Sequence, residues 1–251
     1  MKALFIAYQD VKSRLWAPVG RLTREDSLYH FAYTRGAKEI PNFVPFGRMT
    51  DLESEYVSDK LFPLFANRVL PKSRPEYADY LTWLGLTPSH HDALDELART
   101  GGLRATDTLE IIPCPSRAEG DRYEVFFFCR GLRHLSQESQ ERAMKLNQGE
   151  RLYLVQDLQN RFDNNAMFLR TDDPVTLVGY APRYYSGDFT DLIHKVGGSN
   201  EVSVTVERVS TKAPIQYRVL CKLSAPWPSN FDPCTSGLYE ALATSAITRQ
   251  A

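Results

Sequence analysis

The sequence predicts an α+β fold in two units: an N-terminal α+β unit with a helical hairpin, then a small, mainly-β barrel. Three observations carry this. Strand-like runs open the chain, and capped helix-like patterns follow between residues 73 and 102. The segment "IIPCPSRAEGD" at 111–121, with two prolines and a glycine, reads as a linker. Beyond it, six strand-like runs and two short helices fit into about 105 residues, the density of a small barrel. The expected units are residues 1–110 and 120–225, with an extended or mobile tail at 226–251.

Residues 2–8, 14–22 and 28–34 alternate or run apolar, with β-branched and aromatic residues, and "REDS" between the last two predicts a hairpin turn. From 40 to 72 the chain is rich in Pro and Phe, which predicts irregular structure packed through aromatic rings. In "SRPEYADYLTWLGL", Ser73 and Glu76 have capping-box spacing and Pro75 suits a first helical turn. Tyr77, Tyr80, Leu81 and Leu84 make one apolar stripe, ended by Gly85. A second helix is expected from Thr87 and Pro88 to Gly101, with Leu94 and Leu97 inward. In the second half, "RYEVFFFC" reads as a buried strand, and Ser136 caps a short helix that ends near Gly149. "RLYLVQD", "AMFLR" and "VTLVGYA" read as strands, "SGDFTDLIHKVGG" as a short helix, and "EVSVTVERVS" and "IQYRVLCKL" as alternating strands.

Composition narrows the function. The chain has 251 residues and is 43% hydrophobic, enough for a real core. Lys plus Arg number 14 against 15 acidic residues in 1–110, and 16 against 16 in 111–251, so duplex coating by bulk charge is excluded. Any nucleic-acid contact must be local. "MKALFIAYQD" is too short an apolar run for a signal peptide, and no long apolar stretch suggests a membrane span. The four cysteines (114, 129, 221 and 234) are far apart, which suits reduced thiols in a cytoplasmic protein.

"LQNRFDNNAMFL" at 158–169 crowds Gln159, Asn160, Arg161, Asp163 and Asn164 around Phe162. A plain turn needs fewer polar residues. Together with "GLRHL" (131–135) and "VGYAPR" (178–183), and in the same order, this loop resembles the HIRAN domain. The resemblance spans roughly 120–225 and implies a small barrel of OB/SH3-like kind that grips the 3′-hydroxyl end of single-stranded DNA. By that resemblance Asp163 accepts a hydrogen bond from the terminal hydroxyl. An ionised carboxylate only accepts, so it suits a hydroxyl and repels a terminal phosphate. The resemblance further places Asn160 near sugar or base atoms, Phe162 under the last base, and Arg133 and Arg183 on the strand or its phosphates. Where the family carries two Tyr after Gly-Leu-Arg, this chain has His134 and Leu135; His134 could still stack, and Leu135 reads as core. Tyr180 stands where an animal relative has His. Each position has a plainer reading: Asp163 and Asn165 as turn-holders, Phe162 as a barrel plug, Arg183 as a solvated surface residue.

The first half is similar to the N-terminal region of HipA-type kinases, through "VGRLTREDSLYHFAYTRG" and the Phe-rich stretch ending "RVLP". The kinase core is missing from the sequence, so that resemblance implies a docking or regulatory module. "SHHDALDEL" places His90 and His91 about 100° apart on a helix, which reads as polar surface and not as a metal pair. The sequence shows no base placed to activate Cys114 and no third ligand beside the acids of "GDFTDL". The expectation is therefore a non-enzymatic binder of single-stranded DNA ends, with no cofactor, no metal and no membrane partner. A protein partner would dock through the N-terminal unit. The alternative is a protein–protein adaptor serving a kinase or nuclease. A nuclease would need a carboxylate–Lys or His–metal constellation that the sequence lacks.

Overall fold

The structure, a computed structural model, describes residues 3–13, 16–104, 106–161, 163–198, 200–243 and, for the backbone alone, 246–249. The strands are β1 Ala3–Gln9, β2 Trp16–Glu25, β3 Leu28–Tyr33, β4 Ser54–Ser58, β5 Leu109–Pro113, β6 Arg117–Ala118 and β7 Arg122–Phe128. They continue as β8 Arg151–Gln156, β9 Met167–Arg170, β10 Leu177–Tyr180, β11 Ser203–Val209, β12 Val219–Pro226 and β13 Ala246–Arg249. The α-helices are α1 Gly36–Glu39, α2 Pro63–Ala66, α3 Tyr77–Leu84, α4 Ala93–Thr100, α5 Gln137–Met144 and α6 Arg183–Lys195. Among the described residues no helix is long and apolar enough to cross a membrane.

Two compact units share the chain. The first takes Met1–Arg74, His91–Cys114 and Asp232–Ala251; the second takes Pro75–His90 and Pro115–Phe231. The division at 114 falls inside the expected linker, but that segment also carries β5 and β6. The tail expected as extended or mobile is packed instead. Trp227 and Phe231 are buried in the core of the second unit, and from Asp232 the chain returns to the first, where β13 pairs in parallel with β4. Weak periodicity misled here, because an edge strand of four residues carries almost no pattern.

In the first unit the sheet runs β13-β4-β3-β2-β1-β5. The β2–β3 hairpin turns at Asp26 and Ser27, both at positive φ (46° and 71°), the conformation that matches strand twist in a two-residue loop. Phe31 sits at the centre of the aromatic core, with the rings of Tyr33, Phe46, Tyr56, Phe62 and Phe65 at 4.9–6.4 Å. The aromatic packing expected of 40–72 is present, with β4 and α2 added to it. Helix α4 starts later than Thr87: Asp92 accepts from the backbone N–H of Leu94 and Asp95 at 2.9 and 3.0 Å, and Asp95 caps Asp92 in return. His91 is no surface residue. Its side chain is 3% exposed and its Nε2 lies 3.2 Å from Glu96 Oε1.

The helices expected as a hairpin belong to different units, α3 to the second and α4 to the first. Helix α3 begins at Tyr77, and Ser73 and Glu76 form no capping box there. Its Tyr80 ring meets Tyr217 at 6.3 Å, and Gly85 ends it in the left-handed conformation. The second sheet runs β10-β9-β8-β11-β12-β7-β6. It curls until β10, at one edge, meets the chain just past β7: Arg130 and Tyr180 exchange backbone hydrogen bonds of 2.9 Å each way. This bridge gives the unit its barrel-like form. Helix α6 fills the interior with Tyr185, Phe189 and Leu192, Tyr185 and Phe189 stacking at 5.4 Å and 14°. It starts at Arg183, three residues earlier than expected.

Asp188 on α6 carries a pH dependence. The Tyr123 hydroxyl donates to its Oδ2 at 3.3 Å, yet burial raises its pKa to about 6 from 3.8, with the Asp191 charge adding to the rise. The unfolded carboxyl ionises near pH 4, so the folded protein holds a proton that the unfolded chain releases. The resulting stability is complete below about pH 4 and is lost as pH rises through about 6. Asp188→Asn is expected to stabilise the protein by about 2 kcal/mol at pH 7.5 and hardly at all at pH 4. Thermal unfolding of both proteins at the two pH values reads this directly; an equal difference at both would assign Asp188 another role.

Candidate functional site

The loop between β8 and β9 is built from its own side chains. Its base is closed by Asp157 N–H donating to Ala166 O at 2.8 Å. Asp157 Oδ1 accepts from Gln159 N at 3.3 Å, and Oδ2 accepts from Asn160 Nδ2 at 3.1 Å and the Tyr180 hydroxyl at 3.0 Å. Asn160 Oδ1 accepts from Asp163 N at 3.1 Å, and Asp163 Oδ1 accepts from Asn165 N at 3.0 Å. This explains the crowding: the loop lacks ladder bonds, and Asp and Asn side chains supply acceptors for its backbone donors. Asn160 is engaged at both its oxygen and its nitrogen, so it acts on a ligand mainly by setting the shape of the loop.

Asp163 divides its two oxygens. Oδ1 holds the turn, while Oδ2 faces Arg183 Nε at 3.9 Å, too far for a hydrogen bond. The Asp163 side chain is 17% exposed and that of Arg183 46%. A half-solvated pair of this kind adds little stability, and Oδ2 stays able to accept a further donor. Arg183 is the first residue of α6, where helix dipole and unsatisfied N–H groups favour an anion.

Tyr180 forms the next wall. Burial pushes its pKa up to about 12, and the hydrogen bond to Asp157 and that residue's charge add to it, so the hydroxyl stays a donor at neutral pH. Its ring packs on Phe168 at 4.0 Å between centroids and 35°. Both rings line a groove of ≈ 500 Å³ with His134, Leu135, Val175 and Leu177. "GLRHL" supplies the opposite side as a 3₁₀ turn. Gly131 takes φ 72° with its α-hydrogen toward Tyr180, where a Cβ would lie 3.1 Å from the ring. Leu132 is buried, and Arg133 and His134 point outward, Arg133 Nε donating to His134 Nε2 at 3.0 Å.

Of the residues singled out from sequence, His134 and Tyr180 line the groove, and contacts join Tyr180, Asp157, Asn160, Asp163 and Arg183 in one string. Arg133 reaches the groove through His134. Phe162 lies outside the described residues. Asp157 and Phe168 were missed. Phe168 had a legible signal, as the outward residue between inward Met167 and Leu169 in a strand of period two.

The second unit is thus a barrel-like β domain whose site is a self-braced loop beside an aromatic groove. Residues 123–227 match the HIRAN domain family. Two solved structures are similar. One is a Lactobacillus plantarum protein at 18% identity and TM-score 0.33, covering 41% of this chain and 96% of that one. The other is the HIRAN domain of human HLTF at 15% identity and TM-score 0.30, covering 43% and 81%. No curated protein matches the chain.

Proposed function

We propose that the chain binds single-stranded DNA at a free 3′-hydroxyl end, through the β8–β9 loop and its groove, without a catalytic step. Asp163 carries this reading: one oxygen is locked in the turn and the other is held beside a cation. Oδ2 accepts the terminal hydroxyl, Arg183 and the start of α6 take the adjacent phosphate, and Phe168, Tyr180 and His134 offer apolar surface to the last base. The HIRAN match of the barrel supports the same reading. The protein acts in the cytoplasm, in DNA repair, replication or defence, and the first unit, with its resemblance to HipA-type N-terminal regions, docks a protein partner.

The test is fluorescence anisotropy with one short labelled strand ending in a 3′-hydroxyl or a 3′-phosphate. Binding of the hydroxyl strand alone supports the proposal. Equal binding of both ends removes the role of Asp163, and no binding of either leaves the barrel as a protein-docking module.

A further inference from the structure

Beside the groove, the outer face of β8 and β9 holds a second cationic feature. Tyr153 pairs with Arg170 and Val155 with Phe168 across these strands. Leu152, Met167 and Leu169 point into the core, so Arg151, Tyr153, Val155, Phe168 and Arg170 share the outer face. On β10, Leu177 pairs with Arg170 and Tyr180 with Phe168. Phe168 and Leu177 therefore belong both to this face and to the groove.

The Tyr153 ring holds two guanidinium groups, Arg151 Cζ at 5.1 Å and Arg170 Cζ at 4.6 Å from its centroid. Arg170 Nη1 also donates to Thr171 O at 2.8 Å, and Arg151 Nη2 reaches Asn200 O at 3.4 Å. Each guanidinium has five N–H donors, so donors remain on both. The nearby acid, Asp172, lies 4.0 Å from Arg170 and is 76% exposed, so water screens it. Val155, 39% exposed, extends the apolar surface of Phe168 on the side away from Tyr180, while Arg170 stands directly beside Leu177 of the groove. From Tyr180 through Phe168 to Val155 is two strand spacings, about 10 Å.

We infer that a strand whose 3′ end occupies the groove continues across the outer face of β8 and β9, its phosphates on Arg151 and Arg170. Tyr153 positions both cations, and Val155 and Phe168 offer apolar surface to the bases beside them. The inference rests on the end-binding reading, and it names the occupant as the 5′ continuation of the same strand, through charge complementarity and continuity with the groove.

The test compares the wild-type protein with the double variant Arg151→Gln/Arg170→Gln on 3′-hydroxyl strands of three and twelve nucleotides, with a twelve-nucleotide 3′-phosphate strand beside them. The variant should bind the short strand like wild type and the long strand about tenfold more weakly. Its plot of log affinity against log salt should flatten by about 1.4, the loss of two single-strand phosphate contacts. Arg151→Lys/Arg170→Lys should restore the slope, which a purely structural role would not do. Unchanged affinity and slope on the long strand overturn the inference and leave end binding intact. If wild type ignores the terminal group while the Gln variant still weakens binding, end binding fails, and the continuation from the groove fails with it. No binding of any strand overturns both.

Discussion

Asp163→Asn is expected to lower affinity for a 3′-hydroxyl strand by about 10- to 100-fold and to leave thermal stability nearly unchanged. The asparagine keeps an oxygen for the Asn165 N–H, so the turn survives. What is lost is the charge on the second oxygen, and a hydrogen bond to a charged group contributes about 1.5–3 kcal/mol. The 3′-phosphate strand should respond in the opposite sense, because removing the carboxylate removes its repulsion and leaves Arg183 to attract it. Selectivity then collapses from both sides, which distinguishes lost recognition from general damage. Asp163→Ala is the weaker experiment, since it also releases the turn. Anisotropy titrations of both strands with both proteins decide the matter; a variant as selective as wild type would return Asp163 to the role of turn-holder.

Gly36→Ala is expected to cost about 3 kcal/mol or more. A methyl there would lie 2.0 Å from the Pro18 carbonyl oxygen and 2.9 Å from its carbon, both of them backbone atoms. That carbonyl cannot yield easily: it lies within β2 and accepts the Thr34 hydroxyl at 2.5 Å. The first thermal transition should fall by about 10 °C. Gly187→Ala is the control, with nothing within 4 Å of the new carbon and an exposed place on α6, where Ala is the better helix former. An unchanged transition in Gly36→Ala would mean that α1 can swing off β2.

Local signals were legible where one residue decides a conformation. The Asp26-Ser27 turn, the Gly85 and Gly101 helix ends, and the Ser136 cap all stand where their chemistry placed them. Of the barrel strands, β11 and β12 were readable from period two. The start of α4 was not, because Thr87-Pro88 and Asp92-Asp95 both look like helix starts, and only the reciprocal bonds of the second pair separate them. The membership of α3 was not legible either: its stripe of Tyr80, Leu81 and Leu84 requires an apolar surface but does not say which. At the site, the residue types of the loop were visible, but their bonding was not. Asp157 reads as an ordinary strand-end acid until Tyr180, twenty-three positions later, is seen to donate to it.

The return of the chain to the first unit has a consequence for synthesis. Residues 240–242 hydrogen-bond to 33–35, and β13 completes the edge of the sheet begun by β1. During translation the barrel has all its residues once Phe231 has emerged, whereas the unit that holds the N-terminal strands still waits for its last one. The barrel can therefore complete its set of residues before the unit whose strands emerge first, against the usual N-terminal-first order. Until those final residues arrive, β4 is an open edge, ready to pair with a neighbouring nascent chain. Cutting the chain after Phe231, within the stretch whose sequence reads as an extended or mobile tail, would make that exposed edge permanent.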